Sequence, residues 1–429
     1  MNFVFTRSHA ENLDQQDPLR AYRDAFSFPK VEGKDVIYFT GNSLGLQPKI
    51  ARNFVNEVME DWANLAVEGH FSGSKPWWDY HERFQEKLAG VVGAKPSEIT
   101  VMNTLTVNLH LMMVSFYRPT SSRYKIICEE KAFPSDQYMM ASQVRFHGLL
   151  PEDCIVEVRK RPGEHSFRTE DIIEVINQTG EACALVLLGG VNYYNGQVLD
   201  MAEITAAGKG VGAVVGWDLA HAAGNVELQL HDWGVDFAAW CSYKYLNAGP
   251  GSASGCFIHE RHHGQKEIPR FEGWWGHNKE RRFLMEPEFQ PEPDANAWQI
   301  SNAPVLSMAP FLASLELFNE VGLPKLIAKR KKLVAYLEFI IEQVAQEVEA
   351  NFEIITPKEP SQRAAQLSVL LHGGGKEIFD HLMQKGVIVD WREPNVIRLA
   401  PVAFYTSFVD LFEFGQILAE ALRSVNQRK

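Results

Sequence analysis

Apolar residues gather in short runs at 36–39, 124–128, 155–158, 184–188, 213–217, 237–241 and 255–258, each with turn residues nearby. Such runs read as strands. Between them apolar positions recur with the helical period over 48–66, 106–116, 136–146, 169–176 and 201–211. The alternation predicts an α/β fold, a mostly parallel sheet with helices on both faces. Past about residue 300 the pattern changes to a long helical stretch at 324–349 and strands at 352–355, 366–371, 387–390 and 397–399. Helical patterns at 376–385 and 407–422 interleave with them. The organisation expected is an N-terminal segment (1–45), a large domain (46–300) and a smaller α+β domain (301–429). Pro287, Pro291 and Pro293 mark residues 286–297 as a lid or connection.

Composition narrows the function classes. The 429 residues are 45% hydrophobic and 22% charged, ordinary globular values. A formal net charge of −12 argues against general nucleic-acid binding, which needs clustered cations to neutralise phosphates. No apolar run reaches the ~18 residues of a membrane span. No basic-then-apolar leader opens the chain, so no secretory signal is predicted. Cys128, Cys154, Cys183, Cys241 and Cys256 are odd in number and form no C-x-x-C pair, as in a reduced, cytoplasmic protein.

The candidate chemistry lies just past the strands. The run at 213–217 leads into Asp218, and the run at 237–241 ends near Lys244. In open α/β sheets the crevice outside the carboxyl ends of the strands takes the ligand. A lysine and a carboxylate arriving there suit pyridoxal 5′-phosphate: the lysine carries the cofactor, and the carboxylate holds its ring nitrogen protonated. Taken alone, two surface residues explain the pair as well. His221 follows Asp218, Tyr243 precedes Lys244, and Gly249, Gly251 and Gly255 supply a turn with free N–H groups. Neither a G-x-x-x-x-G-K-[ST] loop nor a G-x-G-x-x-G motif after the first strand is present, which weakens nucleotide readings. Asn103-Thr104-Leu105-Thr106 at a helix start could hold an anion or be a plain cap. Phe133-Pro134-Ser135-Asp136 offers a flat ring and acceptors at another helix start, or a turn with an Asp cap. His259, His262 and His263 read as a solvated His-rich turn with no metal, and His372-Gly373-Gly374-Gly375 as a strand-to-helix turn.

With these residues in order the chain resembles kynureninase. The resemblance rests on Gly216-Trp217-Asp218-Leu219-Ala220-His221 and Cys241-Ser242-Tyr243-Lys244-Tyr245-Leu246-Asn247. It extends through Gly41-Asn42-Ser43-Leu44-Gly45-Leu46, Leu105-Thr106-Val107-Asn108, residues 131–136, Gly273-Trp274-Trp275-Gly276-His277 and Pro394-Asn395-Val396-Ile397-Arg398. It implies a homodimeric fold-type I pyridoxal-phosphate enzyme, with the site at the subunit interface, hydrolysing kynurenine or 3-hydroxykynurenine. Carried over by motif, Lys244 bears the cofactor, Asp218 pairs with its ring nitrogen and Phe133 stacks on the ring. Leu105, Thr106, Pro134, Ser135, Asp136, His221, Tyr243, Trp274 and Asn302 complete the cofactor set. Ser43, His70, Asn302 and Arg398 face the substrate, Arg398 at its α-carboxylate. Lys244, Tyr243 and Asp218 are the catalytic candidates. The chain departs from the family pattern at Gly189-Gly190, where many relatives place a serine. An aminotransferase, a cysteine desulfurase or a non-catalytic cofactor-binding regulator remain the alternatives.

Overall fold

In a computed structural model describing residues 3–426, most of the early apolar runs pair into one seven-stranded sheet. Its strands are β1 (Ile99–Met102), β2 (Lys125–Glu129), β3 (Ile155–Val158), β4 (Cys183–Gly189), β5 (Val214–Asp218), β6 (Phe237–Trp240) and β7 (Ser254–Ile258). Their order is β1-β7-β6-β5-β4-β2-β3. Six strands point the same way, and β7 runs antiparallel to its neighbours β6 and β1. Burial on both faces explains the unbroken apolar runs: six of the seven β4 residues are buried.

The sequence pattern differs from this sheet in two places. Residues 36–39 do not join it; Ile37–Tyr38 pairs in parallel with Val387–Ile388, a partner some 350 residues away that no local pattern announces. In its place stands β1, whose Thr100 breaks the apolar run and spends its hydroxyl on Asn296 Oδ1 at 3.0 Å. The helix Val305–Val321 was also not predicted, because Pro310 lies inside it.

The chain divides into two compact units. One holds Ala51–Val191 and Leu199–Glu316 and contains the seven-stranded sheet. The other gathers the chain up to Ile50, Asn192–Val198 and the chain from Leu317 onward. Its antiparallel sheet has the order β8 (Phe352–Ile354), β9 (Leu367–Leu371), β11 (Val396–Leu399), β10 (Asp390–Arg392). Leu337, Ile340 and Ile341 of the Leu323–Val348 helix share one core with Leu411 and Phe414 of the Phe408–Asn426 helix. The N-terminal helix Arg7–Gln15 packs on that last helix. Both Asp14 oxygens accept from its first free N–H groups, Phe408 at 2.8 Å and Val409 at 3.0 Å.

The histidines after β7 are not a solvated turn. His262 Nε2 lies 2.9 Å from Asp236, while His231 and His259 reach buried Glu98 at 2.9 and 3.4 Å. The Glu98, His231 and His259 ligand atoms lie within 4.8 Å of one another. The two rings nevertheless stack at 28°, so a single ion could not lie in both ring planes. His231 and Glu98 form a hydrogen-bonded pair at the edge of the sheet away from Asp218, while His259 Nδ1 accepts from the Arg261 N–H at 3.2 Å.

Candidate active site

Because β1, β2, β4, β5 and β6 share a direction, their carboxyl ends lie along one edge of the sheet. Each brings a functional group there. On β5, Gly216 has no side chain because a Cβ would come within 2.2 Å of the Phe237 ring. Trp217 is anchored by its Nε1 donating to Thr205 Oγ1 at 3.0 Å. The strand then delivers Asp218, whose carbonyl accepts from Gly190 N–H at 2.8 Å and whose carboxylate accepts from Ala220 N–H at 2.7 Å. Past β6 the chain turns through Ser242 and Lys244. The turn is closed by Asn247 N–H to the Lys244 carbonyl (3.0 Å) and Ala248 N–H to the Ser242 carbonyl (3.1 Å).

The helix Pro134–Phe146 begins at the same edge. Phe133, 43% exposed, precedes it, Pro134 takes the first position where no N–H is needed, and Ser135 Oγ donates to Asp136 Oδ1 at 3.2 Å. Asp136 and Asp218, both buried, are hydrogen-bonded to each other, so one of them carries a proton. Burial and the neighbouring Asp218 push Asp136 well above the carboxylate range. Burial raises Asp218 too, but Asp136, the Ala220 N–H and Lys244 each favour its charged form. Of the two, Asp136 is thus pushed the further toward its protonated form, while Asp218 has the neighbours that favour its charge.

Lys244 Nζ lies 6.0 Å from the Tyr243 ring centre. The Cys241 thiol donates to Tyr243 Oη at 3.3 Å, and burial holds the phenol well above its ordinary range. His221 is buried, its ring 6.4 Å from that of Tyr245. Leu105 and Thr106 open the helix Leu105–Phe116, whose N-cap Thr104 contributes no side-chain hydrogen bond. That turn is braced by Asn103 Nδ2 to Asn108 Oδ1 (3.1 Å) and Asn108 Nδ2 to the Met102 carbonyl (2.9 Å).

Two other predicted residues meet in a separate apolar cavity of about 460 Å³: His70 and Asn302, with Trp62, Trp77 and Leu306 in the walls. Gly69 admits Trp77, since a Cβ there would sit 2.7 Å from its ring. Trp274 stands 48% exposed, with its Nε1 donating to the Arg282 carbonyl at 3.1 Å. Ser43 and Arg398 belong to the other unit. Ser43 is exposed on a turn, its N–H donating to the Thr40 carbonyl at 2.8 Å. Arg398 is 1% exposed, and Asp390 holds Nε at 3.0 Å and Nη2 at 2.8 Å. Its Nη1 donates to the Tyr193 carbonyl at 2.6 Å, leaving two N–H groups for another acceptor.

Sequence reasoning missed two groups at the sheet edge. Glu129 closes β2, buried, and Cys241 orients Tyr243. Glu129 had a legible signal, the one Asp218 gave: a carboxylate ending an apolar run.

The Kynureninase C-terminal domain family matches residues 329–418. Kynureninase of Christiangramia forsetii is 70% identical over 99% of this chain and 100% of its own length. The chain belongs to the kynureninase family. Other kynureninases are close as well: that of Flavobacterium psychrophilum at 66% (98% of this chain, 99% of its own) and that of Myxococcus xanthus at 52% (97% of each). Among solved structures, a cysteine desulfurase of Thermococcus onnurineus superposes with a TM-score of 0.73 at 17% identity, covering 91% of this chain and 95% of its own. The Escherichia coli cysteine desulfurase CsdA gives 0.75 at 14%, covering 99% and 100%. At such identities the likeness establishes the fold, that of fold-type I pyridoxal-phosphate enzymes.

The kynureninase donor set fits that cofactor. A buried anion backed by a proton-bearing neighbour suits a protonated ring nitrogen, and exposed Phe133 presents a flat face at the same edge. The first turn of the Leu105–Phe116 helix, without a side-chain cap, suits a phosphate.

Proposed function

We propose that this chain is a pyridoxal-phosphate-dependent kynureninase. It hydrolyses L-kynurenine, 3-hydroxy-L-kynurenine or both, giving anthranilate or 3-hydroxyanthranilate and L-alanine, in tryptophan breakdown and the supply of NAD precursors. The observation that carries this reading is the 70% identity to a kynureninase along 99% of the chain. The proposed assembly is a cytoplasmic homodimer with the site at the subunit interface. Among the described residues no helix is long and apolar enough to cross a membrane.

Bound pyridoxal phosphate supplies an electron sink for the carbanion chemistry next to its ring. The chain supplies the rest. Asp218 would pair with the protonated ring nitrogen, Asp136 would steady Asp218, and Phe133 would pack on the ring. Leu105, Thr106, Pro134, Ser135, His221, Trp274 and Asn302 hold the remainder of the cofactor. Lys244 would carry the cofactor, and its Nζ would take the α-proton of the substrate. Tyr243 Oη exchanges the proton needed where water adds to the side-chain carbonyl and the Cβ–Cγ bond breaks. Arg398 binds the α-carboxylate through its free N–H pair, while Ser43, His70 and Asn302 meet the aromatic end.

A desulfurase reading needs an accessible nucleophilic cysteine, and all five here are buried. Incubation of the holoprotein with kynurenine, and separately with 3-hydroxykynurenine, tests the assignment. The expected products are anthranilate or its hydroxylated form, equimolar with alanine. Kynurenic acid would instead reveal aminotransferase chemistry.

A further inference from the structure

Glu129 has no part in the roles above, yet it is the third carboxyl group at this edge of the sheet. It is 6% exposed, and both its oxygens lie near the Gly189 N–H, at 3.2 and 3.3 Å. The charge of Asp218 acts on it, and its own charge acts on Asp136; Gly189, whose N–H it faces, pairs with Asp218 across the sheet. A cation that acts on Glu129 in turn is Lys160, whose ammonium is 3.2 Å from Glu130. Gly189 leaves the room it fills: a Cβ there would come within 3.0 Å of Glu129 Oε1.

Burial, opposed by backbone N–H groups and reinforced by Asp218, raises the Glu129 carboxyl to about 7. Such a group gains or loses its charge within the working range of an enzyme. We propose that Glu129 is a positioning residue, a third member of the carboxylate cluster that sets how strongly Asp218 holds the cofactor's ring nitrogen. When Glu129 is neutral, Asp218 alone bears the negative charge. When Glu129 ionises, a second negative charge stands behind Asp218 and favours the protonated form of whatever Asp218 faces.

The proposal rests on pyridoxal phosphate binding at Asp218, and the experiment separates the two. Holoprotein is reconstituted as wild type, Glu129→Gln and Gly189→Ser, and the visible absorbance of the bound cofactor is titrated with pH. Melting of each cofactor-free protein checks its fold. Glu129→Gln keeps the hydrogen bonding but cannot ionise, so the midpoint should fall by about half a unit or more. Gly189→Ser adds a hydroxyl that stabilises ionised Glu129, so its midpoint should rise. Should Glu129→Gln fail to fold, the direction of the Gly189→Ser shift still decides. Midpoints superimposed on wild type would overturn the proposal while leaving the cofactor reading intact. Wild-type protein that takes up no cofactor would overturn both.

Discussion

Asp218 combines two demands that usually conflict: it is buried enough for its charge to count, and yet its surroundings must favour that charge. Hydrogen bonds from Asp136 and Ala220 and the field of Lys244 reconcile them. Lys244→Ala should therefore lose both retained cofactor absorbance and turnover, read in one spectrum and one product assay. Tyr243→Phe removes only the phenolic proton, and should slow turnover about 10²–10⁴-fold while the cofactor remains bound. Arg398→Lys keeps a charge but not the planar fork, and should raise KM for kynurenine about tenfold or more with little change in cofactor content. The side chains of Asp218, Lys244 and Arg398 were legible in the sequence because each sits in a distinctive motif. Asp136 was legible as a residue, but not as the partner of Asp218, which lies 82 positions along the chain.

Among the elements, β5 shows what local pattern does and does not specify. Its apolar run announces a buried strand, and the reading at 213–217 comes within a residue of Val214–Asp218. Its neighbours are another matter: Gly216 lies opposite Phe237 of β6, and that register decides that no side chain fits there. Gly216→Ala should cost about 1–3 kcal/mol of stability by overpacking, measured by urea unfolding, and should weaken cofactor retention by displacing Asp218. Residues 36–39 and β1 illustrate the converse failure. A short apolar run has no means of naming its partner, so one was read into the sheet and the other left out. The helix over Val305–Val321 was lost because Pro310 removes one N–H, a local defect that the surrounding packing overrides.

Across the whole molecule, buried ionisable groups tie stability to pH. His81 is 3% exposed, and burial, helped by the charges of Arg282 and Lys279, lowers it to about 3. Unfolded chains take up a proton at this residue below about pH 6.5, whereas the folded protein refuses it, so stability falls as the pH drops through that value. The loss approaches about 1.4 kcal/mol per pH unit. Urea unfolding at pH 7 and pH 5 should show wild type losing more stability than His81→Gln over the same interval.

The second compact unit also has a consequence in time. Its core joins Phe39, near the start of the chain, to Leu337 and to Leu411 and Phe414 near the end. At roughly 5–20 residues per second, a ribosome needs tens of seconds to travel from one to the other. Throughout that interval the first-made segment waits without its partners, while the sheet that carries Asp218 and Lys244 can already close. The segment around Phe39 is thus made well before the residues it packs against.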